Sequence, residues 1–454
     1  MCATFTGYIG VSPDVSKTED YRITLTKNIE HEFEDEAFVS RSKVGEKGVF
    51  TRDRKLTFKR LIFFIMLFKT ALQRDLDRFF KSLSSEDFNI REVTKGALSQ
   101  ARSKLNPWAF QRLNEVAVAS FYEKAEYLVW NDFRTLSVDG TRLVLPRHKT
   151  TIAEFGEHGF GPKADSKRCM AIGSMLYDVH NHITIDAQLA PYSGSSEQDL
   201  LMAHLDKVEA GDLLLLDRGY ACFWLFFLLK AKEIEFCIRL PSNWWLAAKN
   251  LVNSSDTERE VSFKLPKKYR YKLADYPELH NEKLTFRLVK VELEDGTIEI
   301  LCTSLLEKQK YPRESIQELY HYRWNQEEAY KLLKSRVDME AFSGKTAKAV
   351  KQDFFAKVFM LTLCAAFAHP IEQKVRKEYA ADKNRKHDQK INRTHAISSL
   401  WDMMIPMFLK RRFHKCLDAF DDLVFATREI IRPGRVVERN KRPRRLRHMN
   451  YKKL

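Results

Sequence analysis

From Thr135 the apolar positions of the chain fall into strand-like spacing. Thr135-Leu-Ser-Val-Asp139-Gly-Thr-Arg-Leu-Val-Leu145 predicts a strand, with a turn possible at Asp139-Gly140. Residues 171–178 and 182–189 predict a hairpin around Val179, His180, Asn181 and His182, which places both histidines in a surface turn. Asp212-Leu-Leu-Leu-Leu-Asp217 is an unbroken apolar run, the mark of a strand covered on both faces. A helix over 223–232 and a second buried strand over 234–240 follow. Strands in a meander, then strands alternating with helices, predict a mixed α/β sheet. Between them, Ser195 and Ser196 before Glu197 and Asp199 predict a capped helix start.

Upstream the period is helical. Leu61, Phe64, Ile65 and Phe68, then Leu72, Leu76, Phe79 and Phe80, recur at three- and four-residue spacing. Further helices are predicted over 97–105 and 110–122, separated by Pro107. Lys59, Arg60, Lys95, Arg102 and Lys104 ride on these helices, either as a DNA-binding face or as the solvated side of a helical cap. Residues 1–50 show no clear period. Downstream, residues 241–305 predict a β-rich insertion with antiparallel strands over 285–293 and 297–301, its last strand able to rejoin the main sheet. Residues 350–367 predict a strongly apolar helix. The expected division is a helical, DNA-binding region over 1–128, a catalytic domain over 129–370 and a helical region with a basic tail over 371–454.

Residues 320–334 carry the densest chemistry. At about 100° per residue, a continuous helix would set Tyr320, Arg323, Glu327 and Lys334 within a stripe about 60° wide. Leu319, Tyr322, Ala329, Leu332 and Leu333 would face the core. Glu328 falls well off the stripe. A carboxylate among cationic groups suits metal and phosphate chemistry, although a solvated face of Glu–Lys pairs has the same composition.

Charge narrows the partners. The 454 residues carry a formal net charge of +16, which favours a polyanion, nucleic acid or an acidic membrane surface. The longest apolar runs, 61–68 and 358–368, are too short to cross a bilayer. From Arg432 the tail holds ten Lys or Arg against Glu438 alone, suited to DNA phosphates or to solubility. Seven scattered cysteines without a Cys-x-x-Cys pair predict free thiols in a reducing, cytoplasmic compartment.

Asp139 and Asp217 stand at expected strand ends, where open sheets place their ligand sites and where an aspartate also serves to cap a turn. With Glu327 they make three hard oxygen donors, suited to Mg²⁺ or Mn²⁺ rather than zinc. Two such ions about 3.5–4 Å apart support in-line phosphoryl transfer without a side-chain base.

The spacing Tyr320-x2-Arg323-x3-Glu327-x6-Lys334, with Asp139-Gly140-Thr141 and Asp217-Arg218-Gly219-Tyr220, resembles the signature of bacterial DDE transposases of the insertion-sequence-4 family. The resemblance runs from about residue 54 to 453 and is weakest over the insertion. It implies a ribonuclease H-like core holding two Mg²⁺ or Mn²⁺ ions through Asp139, Asp217 and Glu327. It also implies that Tyr320, Arg323 and Lys334 contact phosphates of double-stranded DNA at the element end, and that the protein acts as a homodimer. Trp324, and with it Trp244 and Trp245, could stack on an unpaired base or simply pack. The implied activity is cut-and-paste transposition; a stand-alone nuclease of the same fold and a DNA-binding derivative without catalysis are the alternatives.

Overall fold

Leu213–Leu216 forms the centre of the molecule because four consecutive leucines bury both faces of one strand. The computed structural model describes residues 9–12, 20–45, 50, 54–69, 71–85, 91–160, 166–241, 243–293, 295–381 and 387–431. The basic tail from Arg432 and Cys2 lie outside those residues. The strands are β1 (Ile9–Val11), β2 (Leu128–Trp130), β3 (Thr135–Leu145), β4 (Glu157–Phe160), β5 (Ser166–Asp178) and β6 (Thr184–Pro191). They continue with β7 (Leu213–Leu216), β8 (Glu235–Leu240), β9 (Glu258–Lys264), β10 (Lys283–Glu292) and β11 (Ile298–Thr303). Strands β1 and β2 pair with each other, the other nine form one mixed sheet, and two short strands, Gln389–Lys390 and Glu429–Ile430, pair near the C-terminal helices.

Strand β5 runs antiparallel to β3 along one edge and to β4 and β6 along the other. On the far side of β3, β7 and then β8 run parallel to it. The mixed α/β sheet is therefore as expected, and Asp139 continues within β3 rather than ending it. The 241–305 segment differs from the expected insertion. All three of its strands extend the main sheet in the order β8-β11-β10-β9, antiparallel throughout. Ile300, Leu301 and Cys302 are buried on both faces of β11, so this strand is a central member of the sheet.

The helices before the sheet are α1 (Tyr21–Glu32), α2 (Glu36–Arg41), α3 (Phe58–Leu67), α4 (Leu72–Ser84), α5 (Lys95–Ser103) and α6 (Trp108–Lys124). Those among and after the strands are α7 (Lys149–Phe155), α8 (Glu197–His204), α9 (Phe223–Ala231), α10 (Leu246–Val252), α11 (Arg313–His321), α12 (Trp324–Ser335), α13 (Ala347–Ala381), α14 (Arg393–Met404) and α15 (Phe413–Ala426). Helix α13 is the pillar of the fold and packs on α6, α3 and β6. It is much longer than the 350–367 segment its apolar run marked. By length and composition it could cross a bilayer, yet 89% of its apolar window is buried inside the protein. Phe64, Phe110 and Phe121 of the N-terminal helices share one apolar core with Phe354, Phe359 and Phe367 of α13.

That packing reassigns several polar residues. Arg102 is buried, with Nη2 2.9 Å from Asp353 Oδ1 and Nε donating to Gln352, so it anchors α5 to α13 instead of facing solvent. The hairpin turn at His180–His182 forms as expected, but it is covered. His180 is buried edge-on against Tyr322 at 4.6 Å between ring centroids, and burial lowers its pKa to about 3. Trp244 and Trp245 pack on Phe223, and Trp245 also on Phe263, as an aromatic cluster. The six described cysteines are free and buried, as the scattered spacing predicted.

Candidate active site

The register of the parallel pair sets the site. Val138 of β3 lies opposite Leu216 of β7, so Asp139, still within β3, and Asp217, just past β7, stand side by side on one face. Leu216 lies in turn opposite Ile238 of β8, and the next residue there is Arg239. Arg239 closes on Asp217 with N–O distance 2.6 Å and also pairs with Glu299 of β11. Asp139 carries no such cation in direct contact. Burial raises its pKa to about 6; Arg323 and the Gly140 N–H oppose the shift, while Glu197 and Asp217 add to it.

Helices α11 and α12 cover this strand end. They are not the continuous helix the signature spacing assumed. Between them Tyr322, Arg323, Asn325 and Gln326 donate to carbonyls three residues back, a tightened 3₁₀-type turn. Three-residue spacing stacks Arg323 over Tyr320, with the guanidinium 5.7 Å from the ring centre. The turn is pinned from the sheet. Gln326 donates to the Met175 carbonyl at 2.7 Å and accepts from Ser137, and Asn325 donates to the Val179 carbonyl.

The signature residues then fall into different settings. Tyr320 is buried, and its hydroxyl lies 3.4 Å from the Leu216 carbonyl, beneath Asp217. Arg323 is also buried; its Nη2 donates to Glu327 at 2.9 Å, and its charge acts on Asp217 and Asp139. Glu327 is thereby joined to the aspartates through a guanidinium. Glu328 points to solvent and pairs with Lys331, which leaves Glu327 as the carboxylate of the site. Lys334 donates to the Arg142 carbonyl at 2.8 Å. Trp324 is half exposed beside Arg323. Of the expected core face, Leu319, Ala329 and Leu333 are buried, while Tyr322 and Leu332 are partly covered. Gln326 and Tyr330 join the buried side, and Tyr330 donates to the Asp139 carbonyl at 2.6 Å.

Arg239 belongs to the same place and went unmarked in the sequence; Glu197 appeared there only in a helix cap, and Tyr220 only in the Asp217 motif, neither as a site residue. Ser196 caps α8 through a reciprocal bond with Asp199, which fixes Glu197 as the first helical residue. The cap was legible; its position above Gly219 depended on the β6-to-α8 path. Arg239 did leave a signal, as a lone arginine in an otherwise apolar strand.

The donors present are carboxylate oxygens, the chemistry of a hard divalent cation. Among the described residues no three of them already stand together as a ligand set. Guanidinium groups take up Asp217 and Glu327 instead.

The family model described as the transposase DDE domain matches residues 130–363, just over half of the chain. The chain belongs to that family. This makes it a DDE transposase and makes DNA its partner, with Asp139, Asp217 and Glu327 all inside the matched region. Among curated proteins none matches the chain. Of solved structures, the piggyBac transposase synaptic complex with hairpin DNA aligns over 92% of this chain and 87% of that one, at 11% identity and a TM-score of 0.46.

Proposed function

We propose that this transposase binds the inverted repeats at the ends of its element, cuts the DNA there and joins the freed end to a target. The observation that carries the reading is the Val138–Leu216 register, which sets Asp139 beside Asp217 under the helix that bears Glu327. A ribonuclease H-like core is supported by the antiparallel β6-β5-β3 meander followed by parallel β7 and β8, with aspartates at β3 and β7. Membership of the insertion-sequence-4 group rests on the Tyr320, Arg323, Glu327 and Lys334 spacing.

Asp139, Asp217 and Glu327 would hold one or two Mg²⁺ or Mn²⁺ ions. Such ions, when bound, stabilise charge on the attacking and leaving oxygens. The chain's own groups position the reaction. Water attacks the phosphorus at the element end, the P–O3′ bond breaks, and the 3′-hydroxyl is released. That hydroxyl then attacks a second phosphodiester, displacing another 3′-oxygen. Arg323, already aimed at the carboxylates, would exchange Glu327 for a phosphate oxygen, a geometry suited to its fork of donors. Tyr320 holds the Asp217 strand end through the Leu216 carbonyl. Lys334 and the exposed ring of Trp324 lie outward, for a phosphate and an unpaired base. A homodimer on two element ends follows the resemblance to the family.

Labelled element-end DNA incubated with the protein and Mg²⁺ tests the reading. Strand-transfer products are expected alongside cut ends. Nicked DNA without joined products would make the protein a stand-alone nuclease. Salt-dependent binding with neither product would make it a DNA-binding derivative.

A further inference from the structure

Glu197 opens α8, which packs on the Arg218–Tyr220 turn after Asp217 and on β3. A Cβ built on Gly219 would stand 2.3 Å from Glu197 Oε2, and one on Gly140 would stand 3.9 Å from Oε1. Each glycine directly follows a site aspartate or its neighbour: Asp139-Gly140 and Asp217-Arg218-Gly219. The carboxylate thus occupies the space above Gly219 and comes within ordinary contact distance of Gly140. Glu197 is exposed to solvent, and among the described residues it has no hydrogen bond and no ion-pair contact, although Arg142 acts on it from a distance. Burial and the neighbouring Asp217 push its pKa up.

A second group points the same way. Tyr220 is fully buried, yet its hydroxyl has no hydrogen-bond partner. Glu197, Asp139 and Asp217 are the charges that act on it most strongly. A buried hydroxyl left without a partner is costly, so one within the field of three acids marks a place where something polar is missing. The Nε of Arg323, in the field of the same aspartates, is likewise buried and unpaired.

We infer that Glu197 is a fourth carboxylate of the cation centre, a ligand for a divalent ion together with Asp139 and Asp217, with the Tyr220 hydroxyl donating into the same pocket. The inference deepens the proposed function and rests on its metal-binding reading. Glu197 joins from the first turn of α8, whereas Glu327 joins from α12. The centre then draws carboxylates from two helices as well as from the strands. A Cβ at Gly219 would push the Glu197 carboxylate aside.

Mn²⁺ binding to the full chain on element-end DNA, followed by calorimetry and by electron paramagnetic resonance, tests this without reading activity. Glu197→Gln keeps shape and hydrogen-bonding capacity and should weaken Mn²⁺ binding at least about tenfold, the loss that even an outer-shell partner's removal brings. Gly219→Ala, which displaces the Glu197 carboxylate, should reproduce that loss with Glu197 intact. Glu328→Gln, exposed and away from the centre, should leave binding unchanged. Parental affinity in a folded Glu197→Gln variant, while Asp217→Asn loses binding, would overturn the role of Glu197 and leave the function standing. Absence of Mn²⁺ binding by the parent would overturn both.

Discussion

Arg323 Nη2 stands 2.9 Å from Glu327 Oε1, one turn further along, with the arginine side chain 4% exposed and the glutamate 33%. The guanidinium also lies within the field of Asp217 and Asp139. It is therefore the internal counter-charge of three carboxylates drawn from three elements. Removing it leaves those charges facing one another. Arg323→Met should cost about 1–3 kcal/mol in urea unfolding, below the range for a fully buried pair because Glu327 is partly solvated. Added Mg²⁺ should restore more stability to the variant than to the parent. Equal Mg²⁺ effects on the two would detach Arg323 from the cation centre.

The 3₁₀-type turn before α12 depends on Gln326, whose amide is buried between Ser137 and the Met175 carbonyl. Gln326→Leu keeps the bulk but leaves both partners unsatisfied, at about 1–3 kcal/mol. Thermal unfolding should register this loss. Cleavage should fall further than stability alone explains, because the turn aims Arg323 and Glu327.

Arg102 separates a structural arginine from a DNA-binding one. Its buried bond to Asp353 predicts that Arg102→Ala costs about 3–5 kcal/mol, measured by urea unfolding. The dependence of DNA affinity on salt should keep its slope. A phosphate contact would instead lower that slope by about 0.9.

Acid should destabilise the protein in part through His180. Its pKa is lowered to about 3 by burial, against about 6.5 in an unfolded chain. Between those values the unfolded state binds a proton that the folded state does not. Stability therefore falls as pH drops from about 6.5 towards 3, by up to about 1.4 kcal/mol per pH unit for this one group. His182 and His369, also lowered by burial, add to the slope. His180→Phe keeps a ring against Tyr322 and should flatten the curve by one proton's worth. An unchanged curve would mean that His180 titrates normally.

The sequence carried the sheet class, the hairpin, the four-leucine strand and the cap of α8, because each rests on local period or turn chemistry. It also placed Asp139, Asp217 and Glu327, through spacing that survives the break between α11 and α12. It did not carry what depends on register between distant segments. The extension of the sheet through β11, β10 and β9 needs the pairing of Cys302 with Ile238, which no local pattern announces. The burial of Tyr320 and Arg323 was hidden for a related reason. A helical wheel assigns a face to a stripe but not what that face meets, and here it meets Asp139 within β3 and the carboxyl end of β7. Arg102 and His180 looked exposed because polar residues usually are; both are covered by α13 or α11, elements far away in sequence.

Single-turnover cleavage of labelled element-end DNA in Mg²⁺ by Asp217→Ala, compared with the parent at matched DNA occupancy, tests the central claim most directly. Asp217 is partly solvated and paired with Arg239, so the variant should fold and still bind DNA. Its cleavage should fall by at least about a hundredfold, the scale on which losing a transition-state-stabilising group acts. Cleavage at the parental rate by the folded variant would contradict the assignment of the site.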